Sequence, residues 1–176
     1  MAVRLKSRTA NVNLPLPHPA QRQVLDPVAR FKVICCGRRW GKTTLLQDQL
    51  IHPALQGFPV ALYSPTYRML LETWREMRRT LHDVTARASD QEHRLELYGG
   101  GLVEMWSLTD PDASRGRKYK RLAIDEAAQV PDLMDTWQLA IRPTLTDYQG
   151  DALFASTPQG LNDFHALYLR AGQTDW

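Results

Sequence analysis

No stretch of this 176-residue chain approaches the ~18 consecutive apolar residues that a membrane-crossing helix needs, so a membrane span is not expected. The opening segment, MAVRLKSRTANVNLPLP, lacks an apolar signal core, and secretion is not indicated. Cysteine is scarce: Cys35 and Cys36 are the two present, and they are adjacent. Neighbouring Cα atoms sit ~3.8 Å apart, closer than a disulfide usually allows, so two free thiols in a reducing compartment are expected. Internal repeats and low-complexity tracts are absent. What is present is ordinary globular material, 43% hydrophobic and 23% charged, which argues against disorder. The length suits about one domain, with roughly two-thirds of the unfolded surface buried.

The net charge of +3 conceals a gradient. Residues 1–50 carry nine Lys/Arg against two Asp/Glu, residues 51–100 six against six, and residues 101–176 seven against eleven. A basic first third suits a polyanion, either nucleic acid or nucleotide phosphate, and equally a solubilising surface.

Residues 11–19, NVNLPLPHP, hold three prolines and read as an extended lead-in. Phe31–Cys36 is a short apolar run ending at Gly37, which suits a buried strand, and Thr43–His52 then reads as a helix. Residues 59–63 form a second apolar run. Ser64-Pro65 follows as an N-cap serine with proline at the first helical position. Tyr67, Leu70, Leu71, Trp74, Met77 and Leu81 then recur at helical spacing. That helix also carries Arg68, Glu72, Arg75, Glu76, Arg78 and Arg79, whose spacing predicts Arg68–Glu72, Glu72–Arg75 and Glu76–Arg79 neighbours on an ordinary charged face. Residues 94–106 read as a β-hairpin around Gly99-Gly100-Gly101. Residues 121–126 are a third buried strand, Val130-Pro131-Asp132 opens a further helix, and residues 152–156 make a last strand. Strands alternating with amphipathic helices predict an α/β fold with a mostly parallel central sheet flanked by helices. Ligands bind such sheets beyond the carboxyl ends of the strands, where Gly37, Asp125, Glu126, Ser156 and Thr157 all fall.

Residues 36–44 read Cys-Gly-Arg-Arg-Trp-Gly-Lys-Thr-Thr. Gly41, Lys42 and Thr43 match the end of the phosphate-loop pattern G-x-x-x-x-G-K-[ST], while Cys36 occupies the place of its first glycine. Amides of the loop and of a helix N-terminus attract phosphates. Lys42 would bridge the β- and γ-phosphates, and the Thr43 hydroxyl would ligate Mg²⁺. Asp125, at the end of an apolar strand, has the position that holds Mg²⁺ in such sites. Glu126 beside it could orient and polarise the attacking water. Ser156 and Thr157 could sense the γ-phosphate, or simply form a turn before Pro158. Arg115, Arg117, Lys118, Lys120 and Arg121 cluster ahead of the acidic strand, and Arg38 and Arg39 lie inside the loop. Such arginines suit a transferring phosphoryl group, a DNA backbone, or a solvated loop.

In this order the motifs resemble the ATPase domain of the large terminase subunit of tailed bacteriophages. Gln21, in HPAQRQV, resembles that family's adenine-recognising glutamine. Gly37-Arg-Arg-Trp-Gly-Lys-Thr-Thr44 resembles its phosphate loop, which implies nucleotide contacts from Gly37, Arg38, Arg39, Trp40, Gly41, Lys42, Thr43 and Thr44. Ser64-Pro-Thr-Tyr67 is similar to the segment after its second strand. Ser114-Arg-Gly116 resembles the stretch that supplies its arginine finger, with Arg115 the first choice and Arg38 the second. Leu122–Ala127 resembles its Walker B strand, and Ser156-Thr-Pro-Gln-Gly160 its coupling motif.

The resemblance implies a phosphate-loop NTPase of the ASCE type using ATP with Mg²⁺. It also implies double-stranded DNA, a portal protein, a small terminase subunit and a homo-oligomeric ring in the cytoplasm of a bacterial host. The domain boundaries expected are a lead-in over residues 1–17 and the ATPase domain over 18–176. The lid looks incomplete and the family's nuclease domain absent, so a fragment or truncated prophage product, monomeric by itself, is expected. A helicase-like ATPase stimulated by nucleic acid, or a non-hydrolysing nucleotide-binding remnant, are the alternatives to a packaging motor.

Overall fold

The computed structural model describes residues 2–4, 9–25 and 29–170; the remainder, including part of the expected lead-in, lies outside the described residues. In chain order the elements are β1 (Ala2–Arg4), β2 (Thr9–Asn11), α1 (Pro19–Leu25), β3 (Phe31–Cys35), α2 (Lys42–Leu55), β4 (Pro59–Ser64), α3 (Tyr67–Thr80), β5 (Thr85–Ser89), β6 (Arg94–Leu97), β7 (Leu102–Ser107), β8 (Arg121–Ile124), α4 (Leu133–Thr136), β9 (Asp151–Ser156) and α5 (Asp163–Leu169). Seven strands form one sheet in the order β3-β9-β8-β4-β7-β6-β5. The run from β3 to β7 is parallel, and β6 and β5 close it antiparallel. β1 and β2 pair separately.

Period-two alternation in each strand divides the apolar residues between two cores. Val60 and Leu62 of β4, Ala123 of β8, and Leu153 and Ala155 of β9 face the layer that contains α2 and α3. Ala61 and Tyr63, Leu122 and Ile124, and Ala152 and Phe154 face the opposite layer, built from residues 127–145 and α5. Strands buried on both faces read as near-continuous apolar runs, as parallel strands do.

Several boundaries differ from those expected. Ser64 does not cap a helix: it pairs with Ser107 as the last residue of β4, and Thr66 is the cap, its Oγ1 accepting from Met69 N at 3.4 Å. α2 runs past His52, through Pro53, to Leu55. Pro53 has no amide to offer the Gln49 carbonyl, and Arg121 donates to that carbonyl instead, at 3.1 Å. β8 stops at Ile124, leaving Asp125 and Glu126 in a turn. The helix expected from Val130 starts at Leu133, after Asp132 in a left-handed conformation (φ 46°). It then widens to a π turn over Trp137–Ile141 and tightens to 3₁₀ over Arg142–Leu145. The predicted hairpin is present, and β5 extends it to a three-stranded meander.

Candidate active site

The strand order sets the site. β9 and β8 lie between β3 and β4, so the segments after Cys35, Ser156, Ile124 and Ser64 emerge side by side at one sheet edge. Between β3 and α2 the chain turns twice through left-handed conformations, at Arg39 (φ 62°) and Gly41 (φ 86°). Glycine suits the second place because a Cβ there would also lie 2.9 Å from the Gln21 amide. The loop is thereby tightened at the start of a 14-residue helix, whose first amides and dipole favour an anion.

Lys42, though charged, is buried. Its Nζ donates to the Gly37 carbonyl at 3.1 Å and to Thr157 Oγ1 at 3.0 Å, and stands 4.0 Å from Glu126 Oε1. Thr43 Oγ1 donates to Asp125 Oδ2 at 2.6 Å, while the Glu126 amide donates to Asp125 Oδ1 at 3.0 Å. Burial pushes the Asp125 carboxyl above its ordinary range, against the opposing pull of those two hydrogen bonds. Glu126 itself is left-handed (φ 48°), and Ser156 Oγ donates to its Oε2 at 3.3 Å. Cys36, in the first-glycine place, is a free thiol raised by burial, with Lys42 pulling it down. Lys42, Thr43, Asp125, Glu126, Ser156 and Thr157 thus form one connected cluster.

A cavity of about 380 Å³ opens in front of Thr43, Asp125 and Glu126. Its far wall comes from α3, through Met69, Glu72, Thr73 and Glu76. Sequence reading missed this wall. The three neighbouring pairs along α3 make no ion pair among the described residues. Glu76 instead accepts from Gln47 of α2 at 3.2 Å, and Arg78 pairs with Asp90. A period of 3.6 tells which residues share a helix face, not what that face meets.

Gln21 is buried, and its amide is committed to the loop: Nε2 donates to the carbonyls of Gly41 (3.2 Å) and Trp40 (3.4 Å), and Oε1 accepts from the His18 amide (3.0 Å). His18 meets the Trp40 ring edge-on at 5.0 Å. Gly37, Arg38 and Arg39 are exposed, and Thr44 is half-buried. Arg115 is also exposed and pairs with Asp112 at 2.6 Å; no contact among the described residues joins it to the cluster. The basic run around it is tied down residue by residue. Arg117 pairs with buried Glu104, Lys118 with Asp147, and Arg121 with Asp151, while Lys120 donates to the Tyr148 carbonyl.

A strand–loop–helix closing on a buried lysine, an acid at a second strand end, and an extra strand inserted between those two strands define a phosphate-loop NTPase domain of the ASCE type. Likeness to known proteins narrows this further. The chain is 32% identical over 150 residues to the terminase large subunit of Escherichia phage T5, covering 81% of this chain and 34% of that protein. It is 30% identical over 179 residues to the terminase large subunit of Thermus phage G20c, covering 87% of this chain and 36% of that protein. Among solved structures, the large terminase ATPase domain of Thermus phage P74-26 superposes with a TM-score of 0.78 at 25% identity, covering 90% of this chain and 72% of that one. The HK97 bacteriophage large terminase shares the fold, with a TM-score of 0.69 at 16% identity, covering 88% of this chain and 36% of that one. No protein-family model matches. The chain spans about a third of the length of the curated relatives it matches. Over the matched segment it belongs to the large terminase subunits, and that segment is their ATPase domain.

Proposed function

We propose that residues 18–176 bind ATP with Mg²⁺ and hydrolyse it to drive double-stranded DNA into a viral procapsid. The observation that carries this reading is the convergence of four residues after two strand ends: Thr43, Asp125 and Glu126 line one cavity, and Lys42 Nζ stands 4.0 Å from Glu126 Oε1. Lys42 supplies fixed charge to the β- and γ-phosphates, with the amides of the Gly37–Thr44 loop around them. The Thr43 hydroxyl and the Asp125 carboxylate fit Mg²⁺: they are hard oxygen donors already 2.6 Å apart. Among the described residues no group of three or more His, Cys, Asp or Glu side chains could hold a metal ion. Mg²⁺ needs none, because it keeps several waters and takes its remaining ligands from phosphate. Held there, Mg²⁺ would supply charge neutralisation to the phosphates. The buried carboxylate of Asp125 gains most from such a cation.

Glu126 acts on the attacking water: its Oε1 lies beside Lys42 and therefore beside the phosphate that Lys42 would hold. Ser156 and Thr157, hydrogen-bonded to Glu126 and Lys42, link both groups to the end of β9 and so to movement. Arg115 supplies a finger from its exposed loop, to a neighbouring subunit or to its own site, with Arg38 the other choice. Gln21 reads adenine after exchanging the loop carbonyls for the base. The partners that fit are a homo-oligomeric ring of this chain, a portal protein and a small terminase subunit, in the host cytoplasm. No nuclease step is assigned to these residues.

Lys42→Ala is expected to weaken ATP binding in calorimetric titration. Glu126→Gln is expected to keep binding and lose phosphate release, because the lysine acts in the ground state and the glutamate on the way to the transition state. Turnover by Glu126→Gln at the parent rate would overturn the reading.

A further inference from the structure

We propose that Gln129 is a positioning residue for Glu126, holding one oxygen of its carboxylate so that the other is left for water. The inference rests on the reading of Glu126 as the group that acts on water. Glu126 sits in a left-handed conformation (φ 48°, ψ 43°), which a residue with a Cβ adopts only when its surroundings compel it. The Gln129 amide N–H donates to the Glu126 carbonyl at 2.9 Å, closing a tight turn that brings the two side chains together. Gln129 Nε2 then donates to Glu126 Oε2 at 3.4 Å, and Ser156 Oγ, whose one proton also reaches the Thr157 carbonyl at 3.0 Å, stands 3.3 Å from the same oxygen. Oε1 has Lys42 alone, at 4.0 Å. One carboxylate oxygen is therefore held from two elements, while the other faces the cation that phosphate would claim.

The chemistry suits an amide. Glu126 lies among charged and titratable groups: Lys42 from α2, Cys36 from the loop, Asp125 beside it, and Glu72 and Glu76 across the cavity on α3. Once Lys42 turns to phosphate, a free carboxylate in this company could rotate towards solvent. Gln129 restrains it by donating a hydrogen bond without adding charge. The Gln129 side chain is exposed and makes no other hydrogen bond among the described residues, so replacing it leaves both cores untouched.

The test uses the full chain with Gln129→Ala and Gln129→Glu. A hydrogen bond of ordinary net strength corresponds to a loss of about three- to tenfold in kcat. That loss is expected for Gln129→Ala, with the ATP KM and thermal midpoint unchanged. Gln129→Glu keeps the size of the side chain but replaces the donor by a like charge, and should lose at least as much kcat as Gln129→Ala, again with the ATP KM unchanged. Unchanged kcat in Gln129→Ala, or a parent-level kcat in Gln129→Glu, would overturn the proposal. So would a kcat loss matched by equal losses of ATP affinity and thermal midpoint. Parent-rate turnover by Glu126→Gln would instead remove the role of Glu126 itself, whatever the Gln129 variants do.

Discussion

Asp125 is held by folding in a state that suits a cation better than it suits the empty site. Burial raises its carboxyl above the ordinary value of 3.8, although Thr43 and the Glu126 amide hydrogen-bond to it. A carboxyl raised by folding holds its proton more tightly in the native chain. The stability it contributes is complete below 3.8 and is lost as pH rises through the higher native value. Above that higher value the nucleotide-free chain bears a buried, charged carboxylate. Asp125→Asn removes the charge and keeps a side-chain oxygen for the Glu126 amide. Its thermal midpoint should exceed the parent's at neutral pH, and the gap should close as pH falls below 3.8. Thermal scans of both proteins across that range check this; a less stable variant at neutral pH would contradict it. The same variant should lose the Mg²⁺ dependence of ATP binding, an instance of site chemistry set against stability.

At the scale of elements, the helix that follows the phosphate loop is anchored at both ends. Its start is fixed by Gly41 and by the Gln21 amide on the loop carbonyls. Its last turn packs against the glycine turn between β6 and β7, where a Cβ on Gly101 would fall 1.9 Å from the Ala54 carbonyl oxygen. That neighbour is backbone and cannot swing aside. Gly101→Ala should therefore destabilise the chain by about 1–3 kcal/mol or more, as overpacking does. Gly100→Ala meets no atom within 4 Å, and its left-handed φ of 86° leaves only the smaller backbone penalty. Denaturant unfolding of the two variants side by side checks the order; equal losses would show that the turn, not the contact, decides.

For the molecule as a whole, stability rests on two cores separated by one sheet. The layer opposite α2 and α3 centres on Trp137, which meets Phe31 and Phe154 edge-on at 5.2 and 4.9 Å. Trp137 is 2% exposed and stands at the start of the π turn. Trp137→Ala should cost about 3–5 kcal/mol, a large share of the 5–15 kcal/mol typical of a domain. The loss should appear as a lower thermal midpoint. Because this core lies beneath β8 and β9, the strands that end at Asp125 and Ser156, ATP affinity should weaken only where the fold itself begins to open. Affinity lost well below the unfolding transition would instead tie this core directly to the site.

The sequence by itself determined the strand–loop–helix around Lys42, the acidic turn after Ile124, the hairpin at Gly99–Gly101 and the mostly parallel sheet. Each of these is local: an apolar run, a glycine and a helical period lie within a few residues of one another. It did not reveal α1, β5 or α5. α1 begins at the last proline of the segment read as extended, β5 has the mixed composition of an edge strand, and α5 is only seven residues long. Nor did it show that Ser64 belongs to a strand, since burial beside Ser107 outweighs the capping preference of serine. Only the tertiary structure decided what stands around the acids. The strand order brings Ser156 onto Glu126 and Thr157 onto Lys42. The packing of α3 against the sheet sets Glu72 and Glu76 across the cavity from Asp125. Arg115 is paired with Asp112 in a loop apart from the cluster. Contacts between residues dozens of positions apart are chosen by which faces bury together, and that choice is made by the whole fold.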